Sequence, residues 1–189
     1  MKVSILYNRP FLPQLNSEDI SEAGVLKVVE AVTAVLKGKG HQVLPFPLTP
    51  TDVGSLALLA QPGVTDIVFN LFEGFPTEPE SEAHVAGMLS LMKVPFTGCP
   101  ARALSLCHNK QQVKLICQQA GIRTPDFEVW DHPRRKTKLN FPLMVKPSEE
   151  DASIGIDQGS VVENPEELKS RVSLLLEKFS GPVLVEEYI

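Results

Sequence analysis

Three short apolar runs rich in β-forming residues, KVSILYN (2–8), HQVLPFP (41–47) and DIVFNLF (66–72), are separated by stretches with helix-like patterning. In the first of these, Ala23, Leu26, Val29, Val32, Ala34, Val35 and Leu36 recur at helical spacing, after a Ser17 and Glu18 start signal and before Gly38 and Gly40. Residues 52–60 read as a short helix, and about 80–92 as another that ends before VPFTG (94–98). Strands that alternate with helices of this length pair in parallel, because parallel neighbours need helical crossovers. Residues 1–104 are therefore expected to form a doubly wound parallel sheet with helices on both faces.

After Gly98 the pattern changes. A short helical stretch from Arg102 precedes a helix from Lys110 to Ala120 closed by Gly121, and strands follow near PDFEVW (125–130) and FPLMVKP (141–147). Asn164 and Pro165 open a last helix that leads into VLVEEYI (183–189). Residues 105–189 thus read as a second, smaller α+β unit. The chain stops within that last apolar run, and the expectation drawn from this is an incomplete layer, part of a longer protein.

With 43% hydrophobic and 22% charged residues in 189, the chain has the composition of a globular protein, and its net charge of −5 argues against a phosphate-neutralising nucleic-acid binder. No apolar run reaches the roughly 18 residues of a membrane span, so a cytoplasmic location is expected. Cys99, Cys107 and Cys117 lack metal-type spacing and suit reduced thiols in packing or surface roles. The acidic stretch EGFPTEPESEAH (73–84) puts Glu80 and His84 on one helical face, but two ligands make a poor metal site. A capping box between Thr77 and Glu80 is the simpler expectation.

Chemistry concentrates at three places. Lys146 follows the apolar residues Pro142 to Val145, so a strand end presents its ammonium; Pro147 and a loop running from Glu149 to Gly155 come next. Such a lysine, with loop N–H groups beside it, suits phosphate oxygens, and a strand-end lysine reaching to solvent is the plain alternative. Lys110 opens a helix whose N-terminus favours an anion, with Lys114 one turn later on the same face; a solvated helix face explains both equally well. In VLVEEYI two carboxylates follow an apolar strand, from which one could accept a hydrogen bond from an amine such as that of adenine. Alternatively they form a charge pair guarding an edge strand.

In order, VFNLFEG (68–74), VPFTG (94–98), ALSLCHNKQQVK (103–114), AGIRTPDF (120–127), FPLMVKP and VLVEEYI resemble the D-alanine–D-alanine ligase family of ATP-grasp enzymes, in its N-terminal part. The resemblance implies a pre-ATP-grasp domain over 1–104, followed by the first α+β half of an ATP-grasp fold, truncated, over 105–189. It assigns Lys110 and Lys146 to the phosphates of ATP. It makes the segment from Glu150 through Ser153 and Ile154 to Gly155 a cover over those phosphates, with Ser153 in a catalytic role. Glu186 and the backbone of Glu187, Tyr188 and Ile189 fall to adenine. The implied activity joins a carboxylate to an amine through an acyl phosphate, releasing ADP and phosphate, with D-alanine as the default substrate and cell-wall synthesis as the setting. The partners implied are ATP, a small amino-acid-like substrate and a second copy in a homodimer. Mg2+ is implied as well, with ligands expected beyond residue 189, so the 189 residues alone are expected to be inactive.

The departures bear on substrate. YNRPFLPQ lacks the family's glycine-rich turn with a serine and a glutamate, Glu73 and Gly74 stand where the family has His-Gly, and Asp151 and Ala152 interrupt the usual Glu-Gly-Ser-Ser. Another amino acid or a peptide as substrate, or nucleotide binding without turnover, is the alternative reading.

Overall fold

The computed structural model describes residues 1–9, 19–75, 78–133, 136–150 and 153–189, with the side chains of 19–23 set aside. The expected start signal at Ser17 and Glu18, Thr77 of the expected capping box, and Asp151 and Ala152 of the expected phosphate-covering segment lie outside the described residues. The chain divides into two compact units, Met1–Leu104 and Ser105–Ile189.

In the first unit, β1 (Lys2–Asn8), β2 (Gln42–Leu48) and β3 (Ile67–Leu71) form a parallel sheet in the order β2-β1-β3. Central β1 is buried on both faces, which is why its sequence is continuously apolar rather than alternating. Ile5 and Tyr7 pack with Val29 of α1 (Asp19–Gly38) and Val43. Leu6 faces the opposite core with Leu56 and Leu59, from a 3-10 helix over Val53–Ala60, and with Val85 and Leu89 of α2 (Ser81–Leu91). The expected short helix at 52–60 is therefore the tighter 3-10 form. VPFTG runs alongside β3 as a rudimentary fourth parallel segment, bridged through Val68 and Phe96.

With Thr77 outside the described residues, the start of α2 is described from Glu80 onward. Glu80 is the cap residue and its side chain caps nothing. The Ser81 hydroxyl closes the turn instead, accepting from the Phe75 N–H at 2.7 Å and donating to the Glu78 carbonyl at 2.5 Å. At the carboxyl ends of β1 and β3, the Asn8 side chain donates to the Gly74 carbonyl and accepts from the Glu73 N–H at 2.9 Å. Gly74 has φ +86° and lies so close to Pro79 that a Cβ would come within 2.7 Å of the Pro79 carbonyl oxygen, so only glycine fits.

α3 (Ala101–His108) carries the chain across the division at Leu104. The second unit holds α4 (Lys110–Gln119), β4 (Phe127–Trp130), β5 (Leu143–Pro147), β6 (Val161–Val162), α5 (Pro165–Lys178) and β7 (Val183–Glu187). Its sheet is antiparallel in the order β4-β7-β5-β6, with two-residue β6 and a 3-10 turn at Gln158–Ser160 that the sequence pattern did not announce. β7 lies between β4 and β5, so the edge-strand reading of its two glutamates is wrong. Alternation along these strands separates two chemistries. Leu143, Val145, Val183, Val185 and Trp130 form one face, covered by Leu168, Val172 and Leu175 of α5. Met144, Lys146, Leu184, Glu186 and Phe127 point to the other.

Leu143 is fully buried in the α5-facing core. Leu143→Ala is expected to cost about 2–5 kcal/mol, through lost burial and an unfilled cavity. Urea unfolding checks this as a lower midpoint with an unchanged m-value.

Candidate functional site

The sheet face turned away from α5 carries the candidate residues Lys146 and Glu186, and register explains their meeting. Met144 pairs with Glu186 and Lys146 with Leu184, so Lys146 and Glu186 are diagonal neighbours on one face, where long side chains reach each other. Lys146 forms an ion pair with Glu186 Oε1. The other oxygen, Oε2, accepts from Lys114 Nζ at 2.7 Å, and Lys114 also donates to Thr124 Oγ1 at 2.6 Å and lies 5.0 Å from the centre of the Phe127 ring. One carboxylate thus joins two ammonium groups, one from the sheet and one from α4. Lys114 and Glu186 are both nine-tenths buried, whereas Lys146 is more open.

These residues line a cavity of about 420 Å³, together with Cys107, Lys110, Val113, Thr124, Pro125 and Leu184. Its walls are apolar with a few convergent charges, the composition expected of a small-molecule site. Lys110 stands at the start of α4, where Asn109 caps the helix by accepting from the Gln112 N–H at 2.9 Å. The Lys110 N–H donates to the Ser148 carbonyl at 3.1 Å. Two of the N–H groups expected to be free for an anion are therefore already engaged. The Lys110 ammonium itself donates to the Glu150 carbonyl, tying α4 to the chain that leaves β5.

Burial pushes the Glu186 carboxyl up, but the hydrogen bonds from Lys114 and Lys146, together with their charges, more than offset this. Its pKa lies below the ordinary 4.5, so it is ionised at neutral pH. Neither lysine is the solvated side chain of the plain alternative. Beyond the cavity, Ser153 and Ile154 are exposed on a turn in which the Ile156 N–H donates to the Ser153 carbonyl at 3.0 Å. Ser153 has φ +63°, a left-handed conformation that a non-glycine residue adopts at a cost of about 1 kcal/mol. Gly155 has φ +74° and packs against Pro147, where a Cβ would come within 2.7 Å of the proline ring.

Residues 116–189 match the family model described as D-ala D-ala ligase C-terminus. D-alanine–D-alanine ligase of Actinobacillus succinogenes is 31% identical over 167 residues, spanning 84% of this chain and 51% of the relative. That of Moorella thermoacetica is 30% identical over 200 residues, spanning 100% and 59%. An uncharacterised protein of Sinorhizobium fredii is 32% identical over 171 residues, spanning 86% and 49%. D-alanine–D-alanine ligase from Bacillus anthracis shares the fold over the whole chain, with a TM-score of 0.75 at 24% identity over 58% of its own length. The same enzyme complexed with ATP gives 0.73 at 22%, again over the whole chain and 59% of its length.

In sequence and in fold the chain is similar to the D-alanine–D-alanine ligase family.

It spans about half the length of the curated relatives it matches. Of the residues that the family resemblance singles out, Lys110, Lys146 and Glu186 meet at the cavity, and Glu150 reaches Lys110 through its carbonyl. Glu187, Tyr188 and Ile189 are not among the lining residues. The Glu187 N–H donates to the Asp126 carbonyl at 3.0 Å, the Tyr188 N–H to the Pro142 carbonyl at 3.1 Å, and the Ile189 side chain is exposed. Sequence reasoning placed Lys114 beside Lys110 but gave it no partner, and it passed over Thr124. The i,i+4 spacing of Lys110 and Lys114 was visible, but the carboxylate that buries Lys114 lies 72 residues away.

Because Glu186 has a depressed pKa, its contribution to stability is present above 4.5 and is lost as pH falls through that value toward the folded pKa. Asp157, held below its ordinary 3.8 chiefly by a hydrogen bond from Arg171, acts in the same direction at still lower pH. Denaturation between pH 6 and 3 is expected to show this decline, with part of it absent in Glu186→Gln. At neutral pH that substitution should cost about 2–3 kcal/mol by leaving buried Lys114 without its counter-charge, and Lys114→Met added to it should recover part of the loss.

Proposed function

We propose that the chain binds ATP in the cavity between α4 and the second sheet and serves an ATP-dependent carboxylate–amine ligase. The observation that carries this reading is the meeting of Lys110, Lys146 and Glu186 at one apolar-walled cavity. Likeness to a family of ligases and to a ligase complexed with ATP supports it.

On this reading Lys110 and Lys146 take the phosphate oxygens, while Glu186 stands at the adenine end with the backbone of Glu187 to Ile189. Lys146 exchanges its carboxylate partner for a phosphate. Lys114 remains with Glu186 and keeps that buried carboxylate neutralised after the exchange. Glu150, Ser153, Ile154 and Gly155 belong to the segment over the phosphates, with Ser153 offering its N–H and hydroxyl to the transferring group. Phosphoryl transfer to a substrate carboxylate gives an acyl phosphate, which an amine then attacks. What the chain contributes is position and positive charge rather than covalent chemistry.

Among the described residues no three His, Cys, Asp or Glu side chains stand together as a metal site, and no step is assigned to them through Mg2+. The reading assigns the metal, and with it turnover, to sequence outside these 189 residues. The proposed setting is the cytoplasm and cell-wall synthesis, and the proposed assembly is a homodimer. D-alanine is the first substrate to try. Glu73, exposed at the carboxyl end of β3 where the family has histidine, favours a second reading in which the acceptor is another amino acid or a peptide.

Calorimetric titration of the chain with ATP tests the binding step. Lys146→Ala is expected to weaken ATP about ten- to a hundredfold, the worth of one charge-assisted contact, and unchanged affinity contradicts the assignment. Phosphate release by the full-length protein, with ATP, Mg2+ and a panel of D- and L-amino acids and dipeptides, identifies the substrate. Release without any acceptor dependence contradicts the ligase reading.

A further inference from the structure

Helix α5 buries Leu168, Val172 and Leu175, a spacing that presents one apolar stripe to the sheet. Arg171 occupies the remaining position of that stripe and is only 7% exposed. An arginine at such a depth is rare unless its charge and its donors are used. Here its two terminal nitrogens converge on one short segment, while Nε is left without a hydrogen-bond partner among the described residues. Nη1 donates to both carboxylate oxygens of Asp157 at 3.0 Å, and Nη2 donates to the Gly155 carbonyl at 2.6 Å and to Ser160 Oγ at 2.7 Å. Asp157 and Ser160 in turn hold the intervening backbone. The Asp157 N–H donates to Ser160 Oγ at 2.9 Å, and the Gly159 N–H to Asp157 Oδ1 at 2.8 Å.

This clamp lies on the α5 side of the sheet and is joined to the proposed nucleotide site through the chain that leaves the end of β5. Gly155, whose carbonyl Arg171 holds, packs against Pro147, the residue after Lys146 in β5. The chain thus leaves β5 beside Lys146, meets the Lys110 ammonium at the Glu150 carbonyl, and returns to β5 at Gly155. Binding of phosphate by Lys110 would weaken the outgoing tie, whereas the returning tie does not involve a phosphate ligand.

We propose that Arg171 is a positioning residue for nucleotide binding, its guanidinium fixing Gly155, Asp157 and Ser160 so that Ser153 and Ile154 stand at the phosphate end of the site. This rests on the ATP reading above. Arg171 acts through the loop and touches no substrate. A lysine cannot replace it, because a single ammonium does not reproduce the planar fork that serves three residues at once.

Binding of ATP and of adenosine, measured by calorimetry for the wild-type chain, Arg171→Met, Arg171→Lys and Asp157→Asn, tests the inference, because adenosine lacks the phosphates the loop serves. Each variant is expected to bind ATP about tenfold more weakly with adenosine changed less than twofold, the loss of roughly one good hydrogen bond. Amide exchange should accelerate over residues 156–160 while α5 keeps its protection. Asp157→Asn alters an exposed side chain and keeps the test readable if the Arg171 variants do not fold. ATP and adenosine weakened in parallel, or ATP unchanged despite faster exchange, overturns the positioning role and leaves the ATP reading standing. A wild-type chain that binds neither compound overturns the ATP reading and the inference with it.

Discussion

A carboxylate buried between two ammonium groups is the constraint around which the second unit is arranged. Glu186 could not lie so deep alone, since desolvation would neutralise it, and Lys114 could not lie there without Glu186. The pairing fixes the register of β7 against β5 and the seat of α4 on the sheet, and it keeps one wall of the cavity charged. A slip of β7 by one residue would send Glu186 into the α5 core and Val185 into the cavity.

The two lysines on Glu186 are not equivalent. Lys114 has a hydroxyl, an aromatic ring and a carboxylate around it and is as buried as its partner. Lys146 is more open and comes from the end of β5, beside the loop that crosses to Lys110. A fixed cation and a more open one on a single carboxylate allow the open one to change partners without leaving a buried charge unmatched. Arg171 does for the returning end of that loop what Lys114 does for Glu186, carrying positive charge into a buried position where several acceptors meet it.

Much of this was legible in the sequence because it is local. The alternation of KVSILYN, HQVLPFP and DIVFNLF with helical spacing announced the parallel sheet, and Asn164 with Pro165 announced the start of α5, where Asn164 accepts from the Glu167 N–H at 3.0 Å. Lys146 and Glu186 were visible as charges at the ends of apolar strands. What pairs them was not, because it depends on strand order. An isolated VLVEEYI reads equally well as an edge strand, and only its placement between β4 and β5 removes that reading. Arg171 was hidden for a related reason. Its position in the apolar stripe of α5 can be counted along the helix, but its partners come from a loop and a 3-10 turn whose patterning is too short to read.

The account stands most directly on where a nucleotide sits relative to Glu186, which a crystal structure of the protein with ADP would show. The prediction is a nucleotide in the cavity beneath α4, with Lys146 turned from Glu186 to a phosphate and Lys114 still on the carboxylate. A nucleotide bound elsewhere, or Lys146 still paired with Glu186 when the cavity is filled, would contradict it.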